Sequence, residues 1–287
     1  MPRPTPDVLT ADAELTRAHQ RFRLIVDAED DLRTRMLDDY KFCDEDYGHW
    51  DAATRKERLA DGRPCLQIDR TSGQVRQITN RIVEARPGIQ ISPVGGGADA
   101  EKAEVRQGVI RYLEDQSGAE AVYSQAVEHQ VKFGRGYWRI VPAYLHDAGE
   151  GAELFRQEPR IVEVDNPFGV YCDPRFRYGT ETLPGHAMRF AFVPEDLDPD
   201  EYRERFGEEP PGSSALEAWR ATGDAAPLWF PKGKVTIAEY FWVEMAYRDV
   251  QIQTPHGPQT RRVPQPAVKW ALMDAVRILE RRDIPGP

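Results

Sequence analysis

A chain of 287 residues is long enough for one large domain or two ordinary ones with a real core. With 40% hydrophobic and 30% charged residues, and no apolar run near the roughly 20 residues of a bilayer span, it does not read as a membrane protein. A net charge of −10 lacks the basic footprint of a tight nucleic-acid binder, whose affinity comes from releasing counterions from phosphates.

The N-terminal stretch "MPRPTPDVLTADAELTRAHQ" has no apolar signal-peptide core, so export by that route is not expected. From Leu15 an amphipathic pattern follows, with Ala18, Phe22, Ile25, Leu32 and Met36 three or four apart and Glu29 interrupting. This spacing predicts a long helix, with Thr10 or Asp12 at its start; its stripe suits a core or a neighbouring subunit equally. An acidic turn with Gly48 and Trp50 comes next, then a short polar helix ending at Asp61-Gly62. "PCLQI" is strand-like. Val75, Ile78, Ile82 and Val83 form a helical stripe that stops before Pro87, because proline disfavours helix in the residue ahead of it. "GIQISPV" alternates with period two and leads to a flexible Gly95-Gly96-Gly97 joint.

Two more helices are expected, one on Val105, Val109 or Ile110, and Leu113, the other on Val122, Ala126, Val127 and Val131 with Gly134 as its stop. From Gly136 the period changes to two, which predicts a hairpin turning at Asp147 to Gly151, another strand, and then "HAMRFAFV". "LDPDEYRERFG" reads as a short helix capped by Asp198 and closed by Gly207. Residues 208–233 are the loosest part and the linker candidate. Long strands follow in "KVTIAEYFWVEMAYRDVQIQT" and "AVKWALMDAVRILERRDIPGP". The fold class is α+β, with N-terminal helices followed by a β-rich wing-like part and a further β-module. The blocks are 1–60, 61–207, the linker 208–233, and 234–287.

No catalytic constellation emerges. "GGGADAEK" lacks the closing Gly-Lys-Ser/Thr of a phosphate loop, and "KFGRGYWR" sits between helix and strand, the reverse of dinucleotide-binding order. The six histidines are dispersed, and the three cysteines (Cys43, Cys65, Cys172) are far apart, with no Cys-x-x-Cys pair. A reducing cytoplasm at synthesis fits that cysteine usage. Cys43 and His49 beside the acidic turn leave a metal-dependent hydrolase as an alternative. Trp138, Phe190, Phe192, Phe230, Tyr240, Phe241 and Trp242 fall on expected strands, where core or subunit interface outweighs base stacking. Arg261, Arg262, Lys269, Arg277, Arg281 and Arg282 crowd the C-terminal module. They are a solvated face or, alternatively, an electrostatic contact surface of a nucleic-acid or protein adaptor. No cofactor or metal is expected.

In order, Gly48 with Trp50, Arg63-Pro64, Val75 with Asn80, Pro87 to Pro93, Gly134-Arg135-Gly136 and Trp138 resemble the N-terminal half of the portal proteins of tailed bacteriophages, in the form typical of short-tailed phages. "VTIAEYFWVE" and "VKWALMDAVRILE" are similar to the strands leading to the clip and stem of those proteins. Asp69-Arg70 departs from the family's usual asparagine. The resemblance implies a non-enzymatic, normally dodecameric ring of identical subunits at one capsid vertex of the virion, assembled in the bacterial cytoplasm. It also implies double-stranded DNA passing through without tight binding, and docking by terminase, capsid or scaffolding proteins and tail adaptors, with no membrane. Family members continue past the position of Pro287, so a longer chain is expected.

Overall fold

The computed structural model describes residues 8–44, 49–85, 89–93, 99–144, 156–164, 166–177, 179, 187–212, 233–254 and 257–284. The helices are α1 (Val8–Asp44), α2 (Ala52–Ala60), α3 (Thr71–Ala85), α4 (Ala100–Ser117), α5 (Ala119–Phe133) and α6 (Pro199–Phe206). The strands are β1 (Trp138–Tyr144), β2 (Gln157–Glu163), β3 (Tyr171–Cys172), β4 (Phe190–Leu197), β5 (Val235–Thr254), β6 (Gly257–Met273) and β7 (Ile278–Ile284). The mixed helices and antiparallel sheets make this an α+β protein. By contact the chain forms two compact units, Met1–Asp31 with Phe168–Pro287, and Leu32–Pro167. The division at Pro167 falls inside the 61–207 block, because β4 pairs with β5 across the sequence-predicted linker.

In the first unit, β3 to β7 form an antiparallel meander in sequence order. One face carries Phe192, Tyr240 and Trp242, stacked at 4.5 Å and 4.7 Å between ring centroids. Ala18, Phe22 and Ile25 of α1 cover this ladder, and Phe22 meets Phe192 edge-on at 5.3 Å. Of the two uses the α1 stripe left open, core or neighbouring subunit, Ala18, Phe22 and Ile25 take the first: they hide an aromatic sheet face. On a second cluster, Tyr202 of α6 packs with Leu197, Val235, Ile237 and Leu272. Beyond Val243, β5 pairs only with β6 among the described residues, so residues 244–254 and 257–267 continue as a two-stranded ribbon.

In the second unit, β1 and β2 pair antiparallel from Trp138↔Glu163 to Tyr144↔Gln157, which bears out the expected hairpin. Its expected turn, Asp147 to Gly151, lies outside the described residues. Helices α4 and α5 pack on this hairpin, and α3 packs on α5. Val75, Ala103, Ala119, Ala126, Phe133 and Ile161 are buried here. Aspartates cap three helices: Asp51, Asp69 and Asp99 accept main-chain N–H groups of the first turns of α2, α3 and α4. Asp69 thus places a capping carboxylate at the start of α3.

The Gly-x-Gly spacing has two separate causes. Gly134 ends α5 in the left-handed region (φ 86°), where a side chain is strained. Gly136 is needed for space: a Cβ there would lie 1.7 Å from the Ala126 carbonyl oxygen.

Several expectations are corrected. Helix α1 already runs from Val8, so Thr10 and Asp12 lie within it rather than at its start. "PCLQI" forms no strand, because side chains take its carbonyls: Arg58 Nη2 donates to Pro64 O at 3.0 Å and Trp50 Nε1 to Leu66 O at 3.1 Å. Residues 89–93 are likewise unpaired as a strand; the Gln107 side chain bonds the Ile91 N–H and the Ile89 carbonyl, each at 2.6 Å. On α4 the expected stripe is only partly covered: Val105 and Val109 are exposed, Ile110 and Leu113 are half-buried, and Ala103 is buried. Asp198 precedes α6 without a side-chain capping bond.

Gly136→Ala is expected to destabilise the chain by about 1–3 kcal/mol or more, since main chain must shift to admit the methyl group. Gly73→Ala, in α3 with nothing within 4 Å of its Cβ, is expected to be neutral or stabilising by about 0.5–1 kcal/mol. Urea unfolding of the two variants checks the contrast.

Candidate assembly surfaces

The described residues present uncovered apolar surface in both units. In the second, Trp138, Ile140 and Tyr144 alternate along one face of β1, and all three are exposed. Trp138 is 41% exposed and touches Tyr123 edge-on at 5.3 Å, so it is not a core residue. Leu66 and Ile68 are 76% and 79% exposed on the extended segment after Pro64. An open groove of about 720 Å³ lies between α3 and the α4–α5 junction. Ile82, Val83, Ala119 and Val127 make it apolar, and Glu114, Asp115 and Glu120 stand beside them. Its chemistry suits an apolar side chain flanked by a cation. In the first unit, Met245 and Tyr247 stand out from the ribbon.

The sheet that carries this ribbon is held by two buried carboxylates. Asp274, at the β6–β7 turn, is fully buried and accepts from Tyr202 OH at 2.6 Å, from Arg277 Nε at 3.1 Å, and from the Val276 and Arg277 N–H groups at 2.8 Å. Arg277 also donates to Tyr202 OH at 3.0 Å and to the Glu209 carbonyl at 2.8 Å, and pairs with Glu208. Burial, then the Asp274 acceptor, push the Tyr202 phenol well above its ordinary value. Asp173, 2% exposed, takes Arg189 through both oxygens, at 2.5 Å and 3.0 Å, at the β3–β4 edge. Asp173 is held below the usual carboxylate range by the Arg189 and Arg175 hydrogen bonds, which outweigh its burial.

The sequence-predicted site residues are only partly brought together. Trp50, Arg58 and Pro64 form one cluster, with the Arg58 guanidinium 4.8 Å above the Trp50 ring. Arg63, Asn80 and Pro93 are exposed, and Val75 is buried. Gly48 and Pro87, like Phe230, lie outside the described residues. The six C-terminal basic residues do not make one free cationic face. Lys269 pairs with Asp283, Arg277 with Asp274 and Glu208, Arg281 with Glu14, and Arg282 with Glu280. Arg261 and Arg262 stand apart on the ribbon. His49 Nε2 lies 3.1 Å from the Phe42 carbonyl, and its ring sits against Phe42. Among the described residues, no group of three or more His, Cys, Asp or Glu could hold a metal. Nor is any described helix long and apolar enough to cross a membrane.

Sequence reasoning missed Asp274 and Asp173 because it ran one strand through "VKWALMDAVRILE" and noted Cys172 alone. An aspartate between two apolar runs is a turn signal that could have found Asp274. Asp274→Ala should destabilise by about 3–5 kcal/mol, by stranding Arg277 and the Tyr202 hydroxyl in a buried site. Chemical denaturation reads that cost, while Trp138→Ala should cost only about 0.5–1.5 kcal/mol, the worth of its ring pair with Tyr123.

His19, on the buried side of α1, has its imidazole pushed down to about 4 by burial, against the opposing pull of Asp274. Its neutral form therefore contributes stability that is complete above pH 6.5 and is lost as pH falls toward about 4. Denaturation of wild type and His19→Gln across this range should show a shallower acid decline in the variant; equal slopes would refute it.

Among curated proteins none matches the chain. A family model of phage P22-like portal proteins matches residues 19–287, from α1 through β7. A match over nearly the whole chain, spanning both units, makes this chain a member of the phage P22-like portal protein family.

Proposed function

We propose that the chain is a subunit of a homo-oligomeric ring, a dodecamer, at one vertex of the phage capsid. DNA is packaged and ejected through its channel, and terminase, capsid or scaffolding proteins and tail adaptors dock on it. The subunit acts as a conduit without catalysis or cofactor. The observation that carries this reading is the family match over residues 19–287. The uncovered apolar residues of β1 and of the extended segment after Pro64 support it, because a ring requires broad side-to-side interfaces. The wing-like role of residues 61–207 and the clip- or stem-proximal role of 234–287, joined by 208–233, belong to the same proposal.

The charge balance suits a conduit. Each phosphate neutralised by a bound cation adds salt-dependent grip, which a sliding polymer must avoid. At net −10 the chain repels a polyanion, and four of the six C-terminal basic residues are engaged with carboxylates. An adaptor that grips nucleic acid through that face is correspondingly disfavoured.

Electron microscopy of the full-length protein should show rings with a central hole. Duplex DNA affinity should be negligible at moderate salt. A stable monomer at all concentrations, or tight DNA binding with a steep salt slope, would overturn the reading.

A further inference from the structure

The β5–β6 ribbon has two unlike edges. Val243 N–H donates to Arg189 O on the β4 side at 2.9 Å, so odd-numbered residues of β5 direct their N–H groups to that side. Even-numbered residues of β5 face β6, and the register Trp242↔Lys269 to Arg248↔Val263 makes odd-numbered residues of β6 their partners. Pro258, Pro264 and Pro266, all even-numbered, therefore sit where the missing N–H would point away from β5. The outer edge of β6 is blunted against strand pairing. The outer edge of β5 is not: Met245, Tyr247, Asp249 and Gln251 point N–H groups outward, and no strand pairs there among the described residues.

The ribbon also has unsatisfied side chains. Met245 and Tyr247, 59% and 60% exposed, share one face with Pro264 and Pro266. Arg262 lies over the Tyr247 ring at 4.9 Å, and Arg248 and Arg261 are exposed with no ion pair among the described residues. A two-stranded ribbon with both faces in water is marginal on its own, so an open edge and an apolar face together call for a cover.

We propose that this ribbon is an inter-subunit arm, whose β5 edge and Met245–Tyr247 face are covered by a second copy of this chain. The occupant follows from charge: among the described residues the arm exposes Arg248, Arg261 and Arg262 against Asp249, its other carboxylate, Glu244, being engaged by Arg17 and the Trp242 indole, on a chain of net −10. A second copy offers the complement, for instance exposed Asp27 and Asp30 beside exposed Leu24 on α1. The edges also set polarity. A free β5 edge with a proline-blocked β6 edge cannot propagate ribbon to ribbon as an endless sheet, whereas a head-to-tail contact can close.

The inference rests on the ring reading, and one experiment separates the two. In the full-length protein, Asp249→Pro removes an outward N–H while sparing the β5–β6 ladder, and Tyr247→Glu charges the apolar face. Mass photometry over a concentration series should show each variant needing about tenfold or more protein for half-assembly, with the circular dichroism spectrum unchanged. Arg248→Pro, which points into the ladder, should lower the unfolding midpoint as well. Rings forming equally well in wild type, Asp249→Pro and Tyr247→Glu would overturn the arm and leave the ring standing. Unchanged assembly with lost duplex DNA binding in Arg248→Glu/Arg261→Glu would assign the ribbon to nucleic acid instead. A wild type that stays monomeric at every concentration would remove the ring and the arm together.

Discussion

The first unit depends on covering one aromatic sheet face. Phe192, Tyr240 and Trp242 lie on neighbouring strands, stacked within 4.5–4.7 Å, and their burial requires a helix with small and apolar residues three and four apart. Helix α1 provides Ala18, Phe22 and Ile25. The residues that meet are about 170 to 220 positions apart in the chain, so the closure entropy of that long loop must be offset by apolar burial. That dependence explains why α1 as far as Asp31 groups by contact with the C-terminal sheet, while its remainder, from Leu32, groups with the helices that follow.

Where apolar burial ends, buried carboxylates take over. Asp274 collects Tyr202, Arg277 and two main-chain N–H groups, tying α6 to the β6–β7 turn. Asp173 and Arg189 fasten the start of β4 to the segment after β3. Each is a fully engaged network, the only form in which a buried charge is tolerated. They hold different parts of the five-stranded sheet: Asp274 follows Met273, which faces Ala238, whereas Arg189 accepts from the Val243 N–H where the ribbon begins.

The same economy leaves other surfaces unfinished. A free-standing globule would turn Val105, Val109, Ile140, Tyr144, Leu66 and Ile68 inward; here they face outward. The chain carries a net charge of −10, and four of its six C-terminal basic residues pair with carboxylates.

Local periodicity was enough to place the long helix α1, the change from helices to strands at Gly136, and the short helix closed by Gly207, because each is written in neighbours a few residues apart. The order of motifs from Trp50 to Trp138 was enough to suggest the family. Local pattern cannot say which apolar faces are covered, so it leaves Trp138 open between core and subunit interface and puts Val105 and Val109, both exposed, on the stripe of α4. It also read "PCLQI" and "GIQISPV" as strands, since alternation does not reveal that Arg58, Trp50 and Gln107 would take the main-chain groups instead. Burial, partner choice and the unlike edges of the ribbon depend on residues far apart in sequence. Only the tertiary structure brings those residues together.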